Sequence, residues 1–277
     1  MKRDQADNLL EPIVNEVIQH FLTNIQTILG VHFRGMYLSG SLALGDFAPQ
    51  RSDIDFVVVT DADLTNDLLS SLQTMHARFN ASDSVWATEV EAAYIPQDAF
   101  RRYDPGRAYH PHIERGEHEI LDMDQLDSAW VIQYAILREH GIIVAGPPPS
   151  TLIDPIAPHE LCQAAIAQME KWWGTMLYDS VRLQYRGYQV YAVLTMCRML
   201  FTLGTGDVAS KPAAARWVLE TLGGRWSALI EDALAWRKDQ VWGEDGRDAL
   251  DDTVIETQTL IGYTLEQCQQ WKREHLM

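Results

Sequence analysis

Asp53 and Asp55 stand two residues apart at the head of the apolar run Ile54 to Val59. Side chains alternate along a strand, so a β-strand over this run projects both carboxylates from one face while Ile54 and Phe56 turn to the other. Like charges that close repel unless a proton or a cation lies between them. A divalent metal bound by carboxylate oxygens is the usual compensation, and Mg²⁺ is generally held by one or two carboxylates plus phosphate oxygens of a substrate. Upstream, Gly40-Ser41 closes an earlier apolar run and "LALGDF" follows as a short helical turn. Backbone N–H groups of such a turn cradle a phosphate, Ser41 adds a hydroxyl donor, and Gly40 permits close approach. A third carboxylate is expected from "TEVEAAYIP", where Glu89 and Glu91 again share a face. Either could deprotonate an attacking hydroxyl or complete a metal site. The bland alternative puts one or both of them on the solvent face of an edge strand.

These groups need strands to hold them. Helical periodicity runs from Asp7 to Leu29 and stops at Gly30; strands are expected at Phe33 to Leu38, at Ile54 to Val59 and over "TEVEAAYI", with a helix over "DADLTNDLLSSLQTMHARF" between the last two. Residues 97–127 read as loop, dense in Pro, Gly, His and charge, and are followed by a helix over Ser128 to His140. His110 and His112 in this stretch lack partners at zinc spacing. Prolines 147, 148, 149 and 155 end the first domain. Beyond them lie only helical patterns, roughly 159–182, 187–204, 211–221, 225–238 and 248–275, and the acidic run "EDGRDALDD" reads as a solvated loop and helix start. The expectation is an α+β chain: residues 1–155 as a small mixed sheet with helices, residues 156–277 as an α-helical bundle.

Composition narrows the partners. With 22 Lys and Arg against 39 Asp and Glu, the formal charge of −17 argues against broad contact with nucleic acid or an anionic membrane. No stretch is apolar enough to span a bilayer and no signal-peptide core is present, so a cytoplasmic location is expected. The three cysteines, Cys162, Cys197 and Cys268, are far apart within helical patterns and support neither a disulfide framework nor a zinc site.

The helical half supplies two cations of interest. Arg198 lies inside "YAVLTMCRMLFTL", where a guanidinium needs a partner, either a structural acid or a phosphate. Lys211 follows Ser210, a natural N-cap, and precedes Pro212 in a first helical turn, where a cation opposes the helix dipole. A broken local rule of that kind points to an anion nearby, the alternative being a solvated surface lysine.

Gly-Ser, a spacer, Asp-x-Asp and a carboxylate on a later strand together resemble the nucleotidyltransferases with a DNA polymerase β-like core. The stretches "GSLALGDFAPQRSDIDFVVV", "REHGIIVAGP" and "VLTMCRMLFTLGTGDVASKPAAARWVLETL" are similar to the streptomycin/spectinomycin adenylyltransferases, which join this core to a C-terminal helical domain. The resemblance implies Mg²⁺-dependent transfer of AMP from ATP to a hydroxyl of a small aminoglycoside-like acceptor. Asp53 and Asp55 would hold two Mg²⁺ ions, and Gly40, Ser41, Arg198 and Lys211 would contact the nucleotide. Glu91, followed by a small residue and a "YIP" strand end, ranks above Glu89 as the base. Glu89, Asp179 and Tyr188 are candidates for acceptor contact. Tyr188 stands where drug-modifying relatives place an acid, and Arg182 and Arg186 precede it, so streptomycin and spectinomycin are expected to be poor acceptors. A monomer is expected. Transfer to another metabolite or a protein hydroxyl is the alternative. A nucleotide-binding regulator without turnover is a third reading, against which the presence of both aspartates, the serine and a base candidate speaks.

Overall fold

The computed structural model describes residues 12–116, 120–239 and 251–276. The chain divides into two compact units, Met1–Pro155 and Ile156–Met277. The expected helix start at Asp7 and most of the acidic run at 244–252 lie outside the described residues.

The first unit is a six-stranded sheet with helices. Its elements are α1 (Pro12–Leu29), β1 (Phe33–Leu38), α2 (Gly40–Ala43), β2 (Ile54–Thr60), α3 (Asn66–Asn80), β3 (Val90–Pro96), α4 (Gln97–Phe100), β4 (Tyr109–Ile113), β5 (Asp122–Gln125), α5 (Trp130–His140) and β6 (Ile142–Ala145). The strand order is β5-β4-β3-β2-β1-β6. Only β2 and β3 run parallel, joined through α3, and every other neighbouring pair is antiparallel. Strands at the centre of such a sheet are covered on both faces and read as continuous apolar runs, as "FVVV" and "AAYI" do. In each of these two strands a single position escapes full burial, Asp55 in β2 and Glu91 in β3.

Three strands escape the sequence reading. Residues 97–127, read as loop, contain β4 and β5, and "IIVA" forms β6. β4 carries Pro111, which cannot donate to a ladder; it lies outside the β3–β4 pairing, which covers His112 and Ile113, and stands opposite Met123 of the edge strand β5. β5, "DMDQ", has no apolar alternation because it is an edge strand.

A ring cluster joins α1 and α3 to the sheet. Phe21 of α1 lies 5.2 Å from Phe56 of β2, 5.2 Å from His76 and 4.6 Å from Phe79 of α3. His76 is fully buried, with Nε2 2.8 Å from the hydroxyl of Tyr94 on β3.

The second unit is α-helical: α6 (Pro158–Lys171), α7 (Arg186–Thr205), α8 (Lys211–Leu222), α9 (Ser227–Asp239) and α10 (Asp251–His275). The helix expected over 159–182 stops at Lys171, and two short 3₁₀ turns, Trp173–Leu177 and Val181–Gln184, follow. Gly174, a weak helix former, sits at the break, and the turns bury Trp173, Met176 and Leu183. The core helix is α7, which buries Val190, Ala192, Val193, Leu194, Met196 and Cys197. All three cysteines are buried, and burial pushes the Cys197 and Cys268 thiols up to about 12.

Burial pushes the His76 imidazole down to about 3 from its ordinary 6.5. The unfolded chain therefore takes up a proton that the folded protein refuses, so the stability His76 contributes is full above pH 6.5 and drains away as the pH falls toward 3. His76→Gln should lower Tm at neutral pH, and the gap to wild type should narrow by a few degrees on titration to about pH 4. Thermal unfolding at several pH values checks this, and a constant gap would contradict it.

Candidate active site

The parallel register sets Asp55 of β2 opposite Glu91 of β3. It is anchored at its entrance by the Ile54 amide, which donates to the carbonyl of Glu89 at 2.9 Å. Asp53, one residue before β2, projects to the same face as Asp55 by the period-two alternation of a strand. One ligand oxygen from each of Asp53, Asp55 and Glu91 lies within 4.8 Å of the other two, the one such cluster of metal-ligating groups among the described residues. All three are half-buried. Oxygen donors alone, without imidazole or thiolate, suit a hard divalent cation such as Mg²⁺.

Behind the triad, β1 ends at Leu38 and the Ser39 amide donates to the Asp55 carbonyl at 2.9 Å. The Ser39 hydroxyl donates to Oε1 of Gln133 on α5 at 3.1 Å. Gly40 follows with φ +54°, and a Cβ there would run into the Asp55 carboxylate, so glycine is needed both for the left-handed backbone and for the space. The Ser41 hydroxyl is buried and has no hydrogen-bond partner among the described residues. An orphaned donor of this kind costs stability unless a ligand satisfies it. The turn therefore sets an unsatisfied hydroxyl beside a carboxylate cluster that could hold a cation, a pairing that suits a metal-bound phosphate.

Glu91 titrates abnormally. Its carboxyl is raised to about 7, first by burial and then by the charge on Asp53, while a hydrogen bond with Asp55 and the Arg115 guanidinium pull it back. A carboxyl that exchanges its proton near neutrality is suited to general base work. Glu89 is placed differently: its Oε1 accepts from Thr88 Oγ1 at 3.2 Å and its Oε2 lies 3.4 Å from Arg115 Nη1. Arg115 went unread in the sequence because the strand that precedes it, β4, itself reads as loop.

The remaining candidates lie in the second unit. Tyr188, Tyr191, Thr195 and Arg198 recur at helical spacing along one face of α7. Lys211 Nζ sits 5.1 Å from the Tyr191 ring centre, and Ser210 Oγ caps α8 by accepting from Ala213 N at 3.4 Å. Arg198 is half-buried, and the buried Thr195 hydroxyl has no hydrogen-bond partner among the described residues. Tyr188 accepts from Trp172 Nε1 at 3.4 Å, and the Arg182 guanidinium lies over both Trp172 and Tyr188 at 5.3 and 5.7 Å. Arg186 is paired with Asp232, and Asp179 accepts from the Val181 amide at 3.2 Å. Of the two arginines read as repelling a cationic acceptor, Arg186 is thus neutralised within the unit.

The raised Glu91 value carries a pH consequence. The folded protein holds this proton more tightly than the unfolded chain, whose ordinary value is 4.5, so the stability it contributes is full below 4.5 and lost as the pH rises through 7. In EDTA, wild type should lose a few degrees of Tm relative to Glu91→Gln between about pH 5 and pH 8. Parallel Tm curves for the two proteins would show that Glu91 keeps an ordinary pKa.

Comparison with known proteins matches both units. Residues 26–110 fit the model of a nucleotidyltransferase domain and residues 151–260 that of an aminoglycoside adenylyltransferase C-terminal domain. Spectinomycin 9-adenylyltransferase of Campylobacter jejuni is 27% identical over 226 residues, covering 79% of this chain and 82% of the relative. Aminoglycoside (3'') (9) adenylyltransferase of Klebsiella pneumoniae is 26% identical over 236 residues, covering 78% of this chain and 84% of the relative. The crystal structure of a spectinomycin adenyltransferase from Enterococcus faecialis, solved with ATP and spectinomycin, shares the fold at TM-score 0.68 and 19% identity, over 92% of this chain and 99% of that one. With a nucleotidyltransferase domain followed by this C-terminal domain, the chain is an enzyme, an aminoglycoside adenylyltransferase-like nucleotidyltransferase.

Proposed function

We propose that the protein transfers AMP from ATP to a hydroxyl of a small aminoglycoside-like acceptor and releases pyrophosphate. The observation that carries this reading is the convergence of Asp53, Asp55 and Glu91 beside the Gly40-Ser41 turn. The relatives' names supply the acceptor class, spectinomycin and aminoglycosides.

Asp53 and Asp55 are assigned to Mg²⁺, two ions being the proposed complement. When bound, the metal supplies positive charge that neutralises the phosphates and polarises the phosphorus. Ser41 donates its hydroxyl, which has no partner among the described residues, to a phosphate oxygen. Glu91 takes the acceptor hydroxyl's proton as the new oxygen–phosphorus bond forms and the bond to the pyrophosphate oxygen breaks in line. The family resemblance assigns Arg198 and Lys211 of the second unit to the nucleotide as well. For the acceptor, Tyr188 and its ring neighbours offer stacking surface, but Arg182 already supplies a cation there and Asp179 is engaged by a backbone amide. That favours an acceptor less cationic than streptomycin.

The test is incubation with α-labelled ATP, Mg²⁺ and a panel of aminoglycosides, other hydroxyl compounds and protein. Wild type should label a small acceptor and form pyrophosphate, Asp55→Asn should do neither while keeping its fold, and Glu91→Gln should lose roughly 10²-fold in kcat. Streptomycin and spectinomycin should show low kcat/KM among the compounds turned over. Label appearing only on protein would favour the alternative acceptor class; ATP binding with no transfer to anything would favour a regulator.

Lys211→Ala separates the helical unit's role from its stability. ATP should bind roughly tenfold more weakly, while Tm holds, since removing a cation from a helix's first turn does not harm the helix. Unchanged ATP affinity by calorimetry would return Lys211 to a structural role.

A further inference from the structure

The registered pair Ile54–Val90 is immediately preceded by Asp53 on one chain segment and Glu89 on the other. Continuing that register sets four acidic residues at four corners, Asp53 and Asp55 along one strand and Glu89 and Glu91 along the other. Three corners form the triad. The fourth, Glu89, faces Arg115, whose Nη1 lies 3.4 Å from Glu89 Oε2 and 3.9 Å from Asp53 Oδ2. One guanidinium nitrogen thus reaches both the fourth corner and a triad member. The backbone beside it is fixed, because the Gly116 amide donates to the Thr88 carbonyl at 2.9 Å. The side chain is the most exposed of the three, at 44% against 18% for Glu89 and 26% for Asp53.

We propose that Arg115, held by Glu89, is a positioning residue: a resident counter-cation beside Asp53 that competes there with a divalent metal. This rests on the metal reading of the triad. A fixed positive charge next to the site lowers the affinity for a bare cation, whereas a metal arriving with triphosphate brings negative charge that draws the guanidinium off Asp53. Metal loading thereby becomes dependent on nucleotide.

The sign of the effect distinguishes this from a structural role, since damage to the fold weakens metal binding and loss of a competing cation strengthens it. Mn²⁺ alone is titrated into nucleotide-free protein and free Mn²⁺ is followed by electron paramagnetic resonance. Arg115→Gln should bind Mn²⁺ about three- to tenfold more tightly than wild type, and Arg115→Lys, which keeps the charge, should stay within about twofold of wild type. Glu89→Gln, which frees the guanidinium for Asp53 and removes one negative charge, should bind more weakly. Equal or weaker binding by Arg115→Gln overturns the inference and leaves the metal site standing, provided that Asp55→Asn still binds far less than wild type. Wild type and Asp55→Asn titrating alike would overturn the metal reading and the inference with it.

Discussion

Repulsion between carboxylates at the heads of β2 and β3 is the constraint the first unit is organised around. Apart from Asp55 and Glu91, these two strands are buried throughout, and the parallel register sets those two acids side by side. A single-residue slip of either strand would turn its acid into the core and an apolar residue into the site. The register is therefore protected on several sides: by the Ile54–Glu89 backbone bond, by the Ser39–Asp55 bond to β1, and by the aromatic packing of α1 and α3 behind the sheet. Gly40 completes the enclosure, since its lack of a side chain leaves the space that Asp55 fills.

That corner was partly legible because period-two alternation is a property of any strand. Asp-Ile-Asp can only present both acids on one face, whatever lies around it. The same rule cannot separate Glu89 from Glu91, which share a face; what separates them is that Glu91 closes on the two aspartates while Glu89 pairs with Arg115, and both are tertiary facts. The mixed sheet followed by a helical half was likewise readable from where apolar periodicity changes from two to 3.6. β4 and β5 were not. "YHPHI" and "DMDQ" have no apolar pattern of their own and become strands only because β3 offers β4 a free edge and β4 then offers one to β5. With β4 unseen, Arg115 had no place to be.

In the second unit the odd local choices gather on one helix face. Tyr188, Tyr191, Thr195 and Arg198 line α7, Lys211 leans over Tyr191, and Arg182 covers Trp172 and Tyr188. The periodicity of "YAVLTMCRMLFTL" is nearly invisible because α7 is buried on most of its circumference, as a central helix must be. The break after Lys171 was equally hidden, since "KWWGTMLYDSVRLQ" holds enough apolar residues to imitate a continuing helix.

The sheet's two ends carry a consequence for how the protein behaves when crowded. An open edge is a template for another chain's backbone, and this sheet has two. At one, β5 displays Asp122 and Asp124 on a strand of four residues, so an approaching copy would meet negative charge on a molecule whose net charge is already −17. At the other, β6 is also four residues long, and Gly146 and three consecutive prolines follow it, which cannot donate backbone hydrogen bonds to extend the ladder. Brevity and charge guard one margin and brevity and proline the other, so the sheet that holds the acidic corner resists stranding onto its neighbours even at high concentration.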